Sequence, residues 1–211
     1  YWNPGGYVWG GGSNSVGNNT TNLVWYLPEG ATHVFDTFIH VLNPAPYETS
    51  RVRVTFMNEQ AQTWAVENTI GTRSNWTIHA NEVVGSQAGI STTVEVLSGA
   101  PVAAERTMYW DTWEEKDPAR YIEWVEGHAS LGTTEAATKW YIPEGATHIF
   151  DHFILIQNPG ATSADVTLTY MLQGGGTVTR QVSVDPYSRF TVVAGDAGQV
   201  GADQAFSTEV S

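Results

Sequence analysis

The 211-residue sequence contains no cysteine. That excludes a disulfide-stapled fold, a thiolate zinc site and a cysteine nucleophile. Lysine occurs only at Lys116 and Lys139, and Lys+Arg total 9 against 22 Asp+Glu, a formal net charge of −13. With no basic stripe to displace counterions from a phosphate backbone, nucleic acid is excluded as a partner. No stretch approaches the roughly 18 consecutive apolar residues of a spanning helix, so no membrane span is expected. Charged residues make up 15% of the chain, against about a quarter in ordinary soluble domains. Polarity comes instead from Thr (25 residues), Gly, Asn and Ser, and 41% of the chain is hydrophobic. That composition supplies a core and favours strands and turns over helices.

What is present is a repeat. Trp25-Tyr26-Leu27-Pro28-Glu29-Gly30-Ala31-Thr32-His33-Val34-Phe35-Asp36 recurs as Trp140-Tyr141-Ile142-Pro143-Glu144-Gly145-Ala146-Thr147-His148-Ile149-Phe150-Asp151. The match runs on to Asn43-Pro44 and Asn158-Pro159, and 14 of the 20 positions from Trp25 to Pro44 are identical at an offset of 115. After a one-residue gap, Val54–Met57 pairs with Leu168–Met171, Trp76–Ile78 with Phe190–Val192, and Ile90–Thr92 with Phe206–Thr208. Self-similarity at this period marks two tandem homologous modules.

The ends continue the pattern. Tyr1-Trp2 echoes Tyr109-Trp110, and Gly12–Gly17 echoes Gly127–Gly132. Residues 1–19 therefore resemble the junction that follows a preceding repeat. Ser211 aligns with Glu95, which leaves the second module without a counterpart of the strand-like Pro101–Met108. The chain, beginning Tyr1-Trp2 rather than Met, reads as a processed or excised piece of a repeating pattern. The expected boundaries are 1–112 for the first module and 113–211 for the second, with 113–127 as linker.

Each module reads as β. His33–Val41 mixes β-branched and aromatic residues without a helical period and ends at the turn signal Asn43-Pro44. Arg51–Met57 and Asp165–Met171 alternate with period two, the pattern of a half-buried strand. Gln173-Gly174-Gly175-Gly176 predicts a hairpin turn before a strand over Thr177–Val184, and Asp185-Pro186 a turn before a strand over Arg189–Val193. Short strands spaced by turns over about 110 residues predict an all-β fold of two Ig-like β-sandwiches. One short helix is expected at the junction, with Asp117 as N-cap, Pro118 at its first position and Gly127 as its stop; a strand there is the alternative.

The WYLPEG and WYIPEG motifs, the FDxFIxxxNP run, AERTMYW and GHASLG resemble the tandem WYLAEG-type repeats of large secreted, surface-associated proteins of actinobacteria and related bacteria. The resemblance covers nearly the whole chain. It implies an extracellular, cell-surface, multi-copy β module, and it brings no catalytic residue with it. The sequence departs by Pro-Glu-Gly where Ala-Glu-Gly is commoner, and by Phe-Asp where Phe-Glu is commoner.

Signs of chemistry are few. His148-x-x-Asp151-His152 has metal-like spacing, but on a strand Asp151 faces away from both histidines, and the first module has Thr37 in place of His152. No metal site and no catalytic residue are therefore assigned. The loop from Asp196 to Asp203 has the oxygen ligands that suit calcium; an ordinary acidic loop is the preferred reading, so no cofactor is expected. Glu29 and Glu144 lack a partner carboxylate for acid–base work. Arg106 is the one base in an apolar segment, where an unpaired guanidinium is costly, so a structural ion pair to Asp36 or Glu29 is expected. Asn18, Asn19 and Asn75 stand in sequons that could carry glycans.

These readings converge on a non-catalytic structural repeat protein of a cell-surface array, stalk or filament. Its partner would be itself, as a homo-oligomer or filament joined head-to-tail by strand complementation, or neighbouring repeats of a longer chain. Tyr1, Trp2 and Trp9 are the candidate subunit contacts. The alternative is a secreted carbohydrate-binding or adhesion module, in which the single-copy Trp64, Trp113 and Trp124 would stack on cell-surface glycans. Recurrence of Trp25/Trp140 and Tyr26/Tyr141 at one strand position favours packing over ligand contact.

Overall fold

The computed structural model describes residues 17–110 and 126–211. Tyr1, Trp2, Trp9, Trp113, Trp124 and the helix expected from Asp117 lie outside the described residues. The chain divides into two compact units, Tyr1–Phe56 with Trp64–Thr134, and Met57–Thr63 with Glu135–Ser211. Both are built almost wholly of antiparallel strands.

The first unit contains β1 (Val24–Leu27), β2 (Phe35–Asn43), β3 (Ser50–Asn58), β4 (Thr63–Ile70), β5 (Ser74–His79), β6 (Ile90–Gly99), β7 (Ala103–Trp110) and β8 (Glu126–Leu131), with a five-residue helix α1 (Ala80–Val84) between β5 and β6. They form two four-stranded sheets, ordered β1-β6-β3-β4 and β5-β2-β7-β8. Alternate residues of each strand face inward, as the period-two pattern requires. Trp25, Val52, Val54, Phe56, Ile90 and Val94 from one sheet form a single core with Ile39, Val41, Ile78 and Ala104 from the other.

The second unit repeats this plan with β9 (Trp140–Ile142), β10 (Phe153–Asn158), β11 (Ala164–Leu172), β12 (Thr177–Val184), β13 (Ser188–Val193) and β14 (Phe206–Val210). Its larger sheet, β12-β11-β14-β9, has the same order as β4-β3-β6-β1. Its core gathers Leu168, Tyr170, Phe206 and Val210 from that sheet with Ile154 and Val192 from the other. The β11–β12 turn falls on Gln173–Gly176, where Gly175 and Gly176 take φ of 90° and 87°, a region only glycine enters freely.

Gly127, read as the stop of a helix or as part of a strand, lies inside strand β8, opposite Tyr109; a Cβ there would meet the Tyr109 ring at 2.8 Å. One expected boundary is corrected. Residues 128–134, assigned from the repeat register to the second module, belong to the first unit. β8 pairs with β7 over Glu126–Leu131, and Thr133 exchanges backbone hydrogen bonds with Tyr26. The repeat register marks where motifs recur, whereas the strand that closes a sheet can follow the motif that starts the next copy. Helix α1 was not anticipated; five residues are too few to show a helical period.

Candidate strand-acceptor edge

The repeated motif is a set of structural clamps. Trp25 is buried in the first core, and its indole N–H donates to the Val102 carbonyl at 2.7 Å. Gly30 and Gly145 let the backbone approach the starts of β6 and β14: Ile90 N–H donates to the Gly30 carbonyl at 2.7 Å and Phe206 N–H to that of Gly145 at 2.9 Å. An added Cβ would lie 2.8 Å from the Ile90 side chain at Gly30, and 2.4 Å from the Phe206 ring at Gly145. The threonine hydroxyls tie the loop before that strand, Thr32 to the Gly85 carbonyl at 2.5 Å and Thr147 to Gly201 at 2.7 Å. His33 then meets Ser86, and His148 meets Asp203.

The Asn-Pro end of the motif is a second clamp. The Asn43 amide donates to the Glu48 and Gly71 carbonyls at 2.9 and 3.0 Å, and Asn158 to Thr162 and Asp185 at 2.8 and 3.0 Å. Each amide oxygen accepts the N–H two residues on. One buried side chain thus satisfies two loops that no strand could pair.

Glu29 lies in the turn after β1 and Arg106 on β7, directly opposite Ile39. The Arg106 side chain has no exposed surface; its Nη2 donates to Glu29 Oε2 and lies 3.0 Å from His128 Nδ1. Burial pushes the guanidinium below its ordinary value, and the Glu29 charge opposes that shift. Its Nε and Nη1 groups are buried without a hydrogen-bond partner among the described residues. Asp36 instead meets His79 Nε2 at 2.8 Å.

Strand β7 covers the aromatics of β2. Phe35 packs edge-on against Trp110 with ring centroids 5.6 Å apart, and Phe38 packs between His79 and Tyr109, at 4.5 and 6.0 Å. Among the described residues the second unit has no counterpart of this cover. The register Phe38↔His79 recurs as Phe153↔Val193, so β10 stands for β2 and β13 for β5. Among the described residues β10 pairs with β13 alone, and nothing takes the place of β7 and β8. Trp25 is 1% exposed and Trp140 42%; Phe150 and Phe153, the counterparts of Phe35 and Phe38, are 63% and 51% exposed. Strand β2 begins at Phe35, but β10 begins only at Phe153, so Phe150–His152 are not extended into a strand. Glu144, the counterpart of Glu29, is exposed and has no hydrogen bond or ion pair among the described residues.

The remaining sequence candidates do not form a site. Trp64 is partly buried against the first core. Asn18, Asn19 and Asn75 are exposed, and the Asn18 side-chain oxygen accepts from Thr20. His152 packs edge-on against Phe206, 5.2 Å between centroids. No group of three or more His, Asp or Glu positioned to hold a metal occurs among the described residues. No described helix is long and apolar enough to cross a membrane.

No family model and no curated protein matches the chain. Among solved structures it is similar to Thermotoga maritima 1070, at 15% identity and a TM-score of 0.43, over 55% of this chain and 96% of that one. It is also similar to the Anabaena sensory rhodopsin transducer, at 13% identity and a TM-score of 0.34, over 43% of this chain and 99% of that one. Neither likeness is close enough to bear on function.

Proposed function

We propose that the chain is a non-catalytic structural repeat protein of the cell exterior, whose modules join head-to-tail by strand complementation. The observation that carries this reading is that, among the described residues, β10 pairs with β13 alone beside exposed Trp140, Phe150 and Phe153, where the sister unit has a further strand seated. A sheet edge with apolar neighbours invites another strand unless something covers it. In this reading neighbouring modules of the same repeat type supply the cover. Residues near Tyr1–Trp9 of one chain are placed at the second unit of the next, because Tyr1-Trp2 repeats the Tyr109-Trp110 that ends β7. The extracellular location follows from the resemblance to surface repeats.

Negative-stain electron microscopy and sedimentation of the chain over a concentration series test the proposal. Growth into filaments or larger species with concentration, suppressed by Phe153→Lys, is the expected result. Single chains at every concentration would overturn self-assembly.

A further inference from the structure

Strand β5 of the first unit combines an open edge with a free glycan acceptor: we infer that Asn75 carries an N-linked oligosaccharide, which guards that edge against pairing with another chain. The inference rests on the reading of the chain as a protein of the cell exterior and adds a modification site to it.

Strand β5 stands at the end of the sheet β5-β2-β7-β8 and pairs with β2 alone among the described residues. Its six residues, Ser-Asn-Trp-Thr-Ile-His, include no proline, lysine or acidic residue. Edge strands are usually blunted by such residues, because a row of free N–H and C=O groups otherwise templates another strand. At the end of the other sheet, β4 carries Glu67, held by Arg51 and Arg53. Strand β5 has no such charge, and the residue across from Asn75 on β2 is the exposed Leu42.

Asn75-Trp76-Thr77 is an acceptor sequence for glycosyl transfer to asparagine. Successive residues of a strand face opposite ways. Trp76 accordingly packs against the core, while Asn75 and Thr77 share the outer face and are exposed. The Asn75 amide has no hydrogen-bond partner among the described residues, and the Thr77 hydroxyl lies 3.2 Å from His40 Nδ1. The other two sequons are placed differently. The Asn18 side-chain oxygen already accepts from the Thr20 N–H and hydroxyl, and Asn19 precedes β1 and lies on no strand. In the second unit the matching segment is Arg189-Phe190-Thr191, with Arg189 buried, so the modification belongs to the first unit alone.

In the transfer, Asn75 Nδ2 bonds to the anomeric carbon of a lipid-linked oligosaccharide. The anomeric C–O bond breaks, the lipid phosphate leaves with the electron pair, and Nδ2 gives up one proton. The attached glycan is bulky and hydrated. It stands on the outer face of β5 beside Leu42, where a second strand approaching the edge would have to displace it.

Peptide mapping by mass spectrometry of the full chain, purified from the exterior fraction of its source cells, tests the site. A glycan mass on Asn75 is expected, lost in Asn75→Gln and Thr77→Val and kept in Thr77→Ser. Asn75 unmodified in the exported chain, or glycan confined to Asn18 and Asn19, would overturn the inference while leaving the exterior location standing. A chain found only inside the cells would overturn that location and the inference with it. Sedimentation reads the guarding role, with Phe153→Lys present throughout to suppress association through β10. The unglycosylated Asn75→Gln chain should then associate at lower concentration than the glycosylated chain; equal association would overturn the guard.

Discussion

Arg106, with no exposed side-chain surface, donates to Glu29 in the turn that follows the first strand of its unit. The pair links β7 to that turn, and it is under-satisfied, since among the described residues two of the three guanidinium nitrogens have no hydrogen-bond partner. Such a pair is costly to break and inexpensive to replace.

Glu29→Gln is accordingly expected to destabilise the first unit by about 3 kcal/mol, because a buried cation loses its counter-charge. Adding Arg106→Met should recover most of the loss. Chemical denaturation of the two variants and the wild type measures both effects. A double variant no more stable than Glu29→Gln would show that the arginine contributes more than its pair.

The two asparagine clamps should behave alike in units that otherwise differ. Asn43→Ala and Asn158→Ala each strand two partly buried loop carbonyls and are expected to cost about 2–3 kcal/mol. Thermal unfolding followed by hydrogen exchange should place each loss in its own unit.

Gly145→Ala is expected to destabilise the second unit by about 1–3 kcal/mol, since the new methyl group overlaps the Phe206 ring. Reducing the ring with Phe206→Leu in the same chain should return part of that stability. Paired denaturation curves for the single and double variants decide it.

The pH dependence differs between the units. Burial lowers the pKa of His40 below 6.5, although Glu105 opposes it, and its ring nitrogens meet the Thr77 and Thr107 hydroxyls. The fold therefore favours neutral His40. Stability from this group is present above pH 6.5 and is lost as the pH falls toward the lower folded value. In the second unit, burial raises the Tyr170 phenol to about 12, where its hydroxyl donates to Gln199. Unfolded tyrosine ionises near 10, so the second unit should weaken as pH rises from 10 toward 12. Urea midpoints across pH, with His40→Asn and Tyr170→Phe as controls, read both slopes.

Much of this architecture was legible in the residues. The alternation of Arg51–Met57 and the glycines of Gln173–Gly176 have local causes, so β3, β11 and their turns fall where pattern and turn chemistry put them. The internal repeat carried more, because it marks two modules with one strand plan. What did not show was which strand closes which sheet. Gly127–Leu131 reads like the start of the next module, yet hydrogen-bonds to β7, a long-range choice with no local signature. The difference in cover between Trp25 and Trp140 was equally hidden, since identical motifs sit in different surroundings. The short β10 beside exposed Phe150 and Phe153 was hidden in the same way, since Phe35 and Phe38 carry the same motif inside a longer strand.

The central claim is that β10 offers an edge for another strand. Amide hydrogen exchange of the backbone over Phe153–Asn158, compared between dilute and concentrated chain, tests it most directly, with the twice-paired β2 as internal reference. The account predicts that protection of β10 rises with concentration while β2 stays unchanged. Equal exchange of β10 at both concentrations would contradict it.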